Sequence, residues 1–195
     1  MSGIVGGLNT RGSGLILSSA TDGQVLTATG AGMSAGFEAI SSGGKILQVV
    51  SDDLLSTTST TSTSFTALSG LSATITPAAT SSKILILGHL NIYHSEGTYA
   101  MAVRLMRAST PIIIADAGGS SQPRATFHGR RQHANNPNSV SVAYVDSPST
   151  TSSTAYSWEW YTEGATLYCN RTGTDTDSLT YPRVSSTIMA IEIGA

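Results

Sequence analysis

The sequence predicts an all-β protein: an antiparallel, jelly-roll-like β-sandwich head over residues 45–195, preceded by an extended N-terminal arm over residues 1–44. Three observations point there. Short apolar runs with period-two alternation follow one another from Lys45 onward, separated by Gly, Pro, Asp and Ser. No stretch carries a sustained helical apolar period with caps. The composition joins 39% hydrophobic residues to only 11% charged ones, and serine and threonine together exceed a quarter of the 195 residues. Enough apolar material is present for a core, and hydroxyls rather than charges supply solubility.

The arm is rich in Gly, Ser, Thr and Ala. Two short strands are expected in it, at 14–18 and 24–28, on either side of Asp22-Gly23, with a third extended piece at 36–40. So few apolar residues cannot close a core of their own. They are therefore expected to bury against sister arms or a larger assembly, with Ile4, Val5, Leu8, Leu15, Ile16 and Leu17 as anchors and Arg11 pairing with an acidic group. Ser41-Ser-Gly-Gly44 reads as a hinge.

In the head, Lys45–Val50 is the first strand expected, and the hydroxyl-rich 56–64 is a loop or edge. Residues 65–68 and 71–76 follow as two strands, the second stopped by Pro77. Lys83–Tyr93 is the longest strand, apolar on both faces. Glu96-Gly97 is expected to turn it into a hairpin with Tyr99–Arg107. A short run at 111–116, a polar stretch at 118–138 and a strand ending at Asp146 come next. Tyr156, Trp158 and Trp160 then alternate with Ser157, Glu159 and Tyr161, which gives one aromatic and one mixed face. Glu163-Gly164 is expected to close a second hairpin with 165–170, the centre of the core, and Ser185–Ile193 is the last strand. Some eight to ten strands suit a two-sheet sandwich.

Little of this chemistry is catalytic. His89, His94, His128 and His133 lack metal-site spacing, and Asp175-Thr-Asp177 lacks the further ligands of a calcium loop. Gly32-Met-Ser-Ala-Gly36 matches a nucleophile elbow in letters but not in context. No enzyme activity, cofactor or metal is expected. A net charge of −2 and one short basic stretch, 124–131, argue against nucleic acid; that stretch reads as a solvated loop or an intersubunit salt bridge. No apolar run is long enough to insert in a membrane, and the first residues do not resemble a signal peptide. The single cysteine, Cys169, is expected to be a buried small hydrophobe, and the sequon Asn170-Arg171-Thr172 matters only in a secreted chain.

Thr21–Gly30 (TDGQVLTATG) and Gly36–Ile40 (GFEAI) resemble the Gly-Gln-Val-Leu segments of tailed-bacteriophage fibre proteins. Lys45–Val50, Ile75–Ile86, Val103–Arg107 and Ser186–Ile193 look like a C-terminal domain of such fibres. The resemblance implies a virion location and a structural, non-enzymatic role. The chain would be a short homotrimeric fibre or spike, held to other virion proteins by its arm and displaying a β-rich head for host attachment. The alternatives are a capsid decoration protein and a carbohydrate-binding head. In the latter, Trp158, Trp160 and Tyr161 would contact a host-surface glycan or receptor.

Overall fold

The computed structural model describes residues 24–28, 35–39 and 45–194. The chain divides into two compact units, Met1–Ser42 and Gly43–Ala195. In the first, β1 (Gln24–Ala28) pairs antiparallel with β2 (Ala35–Ala39), with Leu26 opposite Phe37. The strand expected at 14–18 and the anchors Ile4, Val5, Leu8, Arg11, Leu15, Ile16 and Leu17 lie outside the described residues.

The second unit is an all-β, jelly-roll-like sandwich of two antiparallel sheets. The larger sheet is centred on β6 (Lys83–His94), twelve residues long. One edge of β6 pairs first with β13 (Ser186–Ile193) and then, toward His94, with β12 (Leu167–Cys169). Beyond these lie β3 (Ile46–Leu54), on β13, and β4 (Thr58–Thr60), on β12. Its other edge carries β10 (Asn138–Asp146). The smaller sheet runs β5 (Thr66–Ile75), β11 (Thr154–Thr162), β7 (Met101–Arg107), β8 (Thr110–Ile112), with β9 (Phe127–Gly129) also on β7.

Alternation decides what faces inward. Along β11 the inward residues are Thr154, Tyr156, Trp158, Trp160 and Thr162, all buried. Ile84, Ile86, Leu90 and Ile92 of β6 and Ile188 and Ala190 of β13 face them from the other sheet in one continuous core. Gly88 is the gap in that inner row of β6. A Cβ there would lie 2.6 Å from Cζ2 of Trp158 and 3.0 Å from Cγ1 of Val142, so the indole occupies the space a side chain would need. The inner face also holds satisfied carboxylates: Asp146 accepts from the Tyr156 hydroxyl at 2.7 Å and from Arg107 at 2.9 and 3.1 Å, and Glu192 accepts from Gln48 Nε2 at 2.7 Å and the Ala78 N–H at 2.6 Å.

Both expected hairpins are corrected. β6 lies in the larger sheet and β7 in the smaller, and likewise β11 lies in the smaller and β12 in the larger. The two connections cross the sandwich at the same end and hold each other. The Ser95 N–H donates to Thr166 O at 2.9 Å, the Thr166 N–H to Ser95 Oγ at 3.0 Å, and the Glu163 N–H to Ala100 O at 2.9 Å. Each crossing thus satisfies backbone groups that a tight turn would have paired within itself. Two smaller differences have local causes. The strands expected at 65–68 and 71–76 are one strand, because Gly70 at φ +85° absorbs the irregularity, and the pairing of β5 with β11 shifts register between Ser157 and Glu159. The run at 111–116 yields only the short β8, and the polar stretch 118–138 contains β9.

Candidate functional surfaces

Trp158 is 0% and Trp160 2% exposed, both in the sandwich core. A sugar cannot reach rings so placed, and the expectation that they contact a glycan is corrected: the alternation that made the aromatic face broad also turned it inward. Tyr161, in the opposite register, is half-buried on the outer side of the smaller sheet. Its ring meets Phe65 edge-on at 4.9 Å and 67°. Arg104 lies over the Phe65 ring, 4.1 Å from its centroid, and pairs with Glu159 at 2.6 Å. Burial, and then the nearby Glu163 carboxylate, raise the Tyr161 hydroxyl above its usual range, so it stays a neutral donor.

Beside Tyr161 opens a cleft of about 560 Å³. The crossings contribute Ala100 and Glu163, the segment before β9 contributes Asp116 and Arg124, and β9 and its exit contribute His128 and Arg130. Glu163 is held in place because Oε2 accepts from the Ala100 N–H at 2.9 Å. A shallower depression of about 300 Å³ adjoins it, sharing Tyr161, Gln122 and Pro123 and adding Phe65 and Ser64. Sequence reading found Tyr161 here but missed Glu163, Arg124, His128 and Arg130 as its neighbours. The basic stretch divides: Arg131 turns away to donate to the Tyr93 hydroxyl and to Ser95 O, while Arg124 and Arg130 line the cleft.

A second surface lies on the outer face of the larger sheet. Registers align Val49, Ile191, Leu85 and Val145 in one row across β3, β13, β6 and β10. The next row is Ser51, Met189, Leu87 and Ala143. Val49 and Val145 are 53% and 52% exposed, and Leu47 at the bulge beside Ile193 is exposed too. The patch is bounded by hydroxyls and charge. At one end is the row Asp53, Thr187, His89 and Ser141, with His89 Nδ1 and Ser141 Oγ 3.0 Å apart; at the other, Lys83 donates to Ser147 Oγ at 2.8 Å. Among the described residues β10 pairs on one side only, with β6.

Cys169, Asn170 and Asp175 have structural roles. Cys169 is buried, and burial pushes its thiol up to about 11. Asn170, 0% exposed at φ 63°, donates through Nδ2 to Leu54 O at 2.6 Å and Ser56 O at 3.0 Å and accepts from Ser186 Oγ at 2.6 Å. Its amide is fully engaged, so the sequon offers no acceptor for a glycan in the folded chain. Asp175 is held by Arg183 at 2.7 Å and Arg171 at 3.4 Å, which turns its carboxylate from a calcium ligand into an ion-pair partner. Among the described residues no group of three or more His, Cys, Asp or Glu is gathered as a metal site would require.

Two antiparallel sheets over one aromatic core, with no helix among the described residues, define the class: an all-β sandwich of jelly-roll type. The chain is similar to the crystal structure of the infectious bursal disease virus VP2 subviral particle, at 12% identity and a TM-score of 0.40, over 86% of this chain and 36% of that one. It therefore spans about a third of that structure's chain. No protein-family model and no curated protein sequence matches it.

Proposed function

We propose that the chain is a structural virion protein, a short homotrimeric fibre or spike of a tailed bacteriophage. In this reading the arm docks it to other virion proteins, the head self-assembles and serves host attachment, and no reaction is catalysed. The observation that carries it is the two-row apolar face on β3, β13, β6 and β10. Four strands at about 4.8 Å spacing and two rows, some four residues at about 3.3 Å, give roughly 250 Å² of charge-free surface. With exposed Leu47 beside them the rows approach the few hundred Å² at which contiguous apolar patches mark association sites. That area is about a third of what one partner contributes to a standard interface. It suits the apolar centre of a contact whose rim is the His89–Ser141 row and the open edge of β10. The fibre-like segments Thr21–Gly30 and Ser186–Ile193 support the same reading.

Light scattering of the full chain at micromolar concentration tests the assembly. The expected mass is three chains, falling to one in Leu87→Glu/Val145→Lys while the melting temperature of the head is retained. A monomeric wild-type chain would overturn the self-assembly. Removing residues 1–20 should abolish incorporation into particles, and normal incorporation would refute the docking role.

A further inference from the structure

We propose that the cleft beside Tyr161 binds a saccharide bearing a carboxylate. This extends the host-attachment part of the reading above but does not depend on the head's assembly, because the cleft and the apolar patch lie on different sheets.

Three features carry it. The first is an aromatic platform that is rigid before any ligand arrives: Tyr161 is braced edge-on by Phe65, which is itself covered by Arg104. The apolar face of a sugar ring packs on such a surface with little side-chain entropy left to lose. The second is uncommitted positive charge. Arg104, Arg107, Arg171 and Arg183 each pair with a carboxylate of this chain, whereas Arg124 and Arg130 have no ion pair among the described residues. Arg124 is steered by its Nε, which donates to Ala115 O, so its two terminal amino groups stay available. A planar carboxylate matches a guanidinium fork with two parallel hydrogen bonds. The third is a set of acceptors, Asp116, Glu163 and the Gln122 carbonyl, suited to the hydroxyls of the same ligand. Glu163 keeps Oε1 for this purpose, since Oε2 is the atom that accepts from Ala100.

Size and openness agree with this class. About 560 Å³ holds one or two sugar rings, and the adjoining depression that shares Tyr161, Gln122 and Pro123 lets an oligosaccharide continue. An uncharged apolar ligand would strand the two arginines and two carboxylates without partners.

The experiment is calorimetric titration of the full chain with sialyllactose and a galacturonate trisaccharide, against lactose and a sulfated lactose. Both carboxylated sugars, or one of them, should bind saturably and more weakly as salt is raised, and lactose should bind at least tenfold less tightly. Arg130→Gln, at an exposed position, should weaken binding about 10- to 100-fold, the effect of losing a charge-assisted pair, with an unchanged melting temperature. Tyr161→Ala should abolish it. Absence of saturable binding by either carboxylated sugar, equal binding of lactose or of the sulfated sugar, or indifference to Arg130→Gln would overturn the proposal. The light-scattering mass reports separately on the assembly, so the two can fail independently.

Discussion

Gly88 and Trp158 make a pair in which each residue explains the other. Trp158→Ala removes a fully buried ring and should cost about 3–5 kcal/mol, a large share of the 5–15 kcal/mol of a typical domain; chemical denaturation measures it. Gly88→Ala places a methyl 2.6 Å from the same ring and should cost about 1–3 kcal/mol by overpacking. Trp158→Phe frees that space and also removes a buried indole N–H that has no partner. Gly88→Ala should therefore cost distinctly less in the Trp158→Phe background than alone, and equal costs in both would contradict the contact. His94 gives a pH dependence at the same scale. Its Nδ1 accepts from the Glu96 N–H at 3.0 Å, so Nε2 carries the proton and donates to Thr162 Oγ1 at 2.6 Å. Burial, opposed in part by contacts to Glu96 and Gly164, lowers its pKa from 6.5. Above 6.5 both folded and unfolded chains hold it neutral and its contribution is complete. As pH falls below 6.5 the unfolded chain takes up the proton first, and stability drops until the folded pKa is passed. His94→Gln should flatten that part of the stability profile measured by urea midpoints.

Among elements, the two sheet crossings show what a sequence can and cannot say. The inward rows of β6, β11 and β13 were legible because alternation depends only on neighbours along the chain. Glu96-Gly97 and Glu163-Gly164 were equally legible as reversals, but a turn residue does not say which sheet the next strand joins. That depends on the partners of Ser95, Ala100 and Thr166, which come from the other crossing. The cleft was illegible for the same reason: Tyr161 could be read from its aromatic run, but Arg124 and Arg130 reach it only through the pairing of β9 with β7. The outer patch was half visible, since β6 reads as apolar on both faces, while its extension to Val49 and Val145 needs the register of three further strands. Thr162 joins the crossings, because its hydroxyl accepts from His94, lies within reach of the Gly164 N–H and donates to Gly164 O. Thr162→Val keeps the shape and removes these bonds. It should destabilise by about 1–3 kcal/mol, leaving buried donors unpaired, and speed hydrogen exchange at Ser95 and Thr166 beyond the rest of the core. Unaltered exchange there would mean the crossings do not depend on it.

For the whole molecule, a contact centred on Val49, Leu85, Val145 and Ile191 is hydrophobic, so raising salt should leave assembly intact or strengthen it. Dissociation by salt would point instead to the charged rim. The order of strands in the larger sheet also bears on how the protein comes into being. β3 is the first strand of the head to be synthesised, and among the described residues its only sheet partner is β13, the last, which sits between β3 and β6. The roughly 130 intervening residues take on the order of ten seconds to translate, and through that time β3 lacks the strand it pairs with and the edge of β6 that takes β13 is bare. Folding of this head is therefore an event that follows synthesis of residues 186–193 rather than accompanying the chain's growth, and a product stopped at Val184 should collect as insoluble or chaperone-held material. The same eight residues supply Met189 and Ile191 to the outer patch, so the surface proposed to join copies together does not exist until each copy has finished folding. A nascent chain cannot be captured by its sisters through that patch before then.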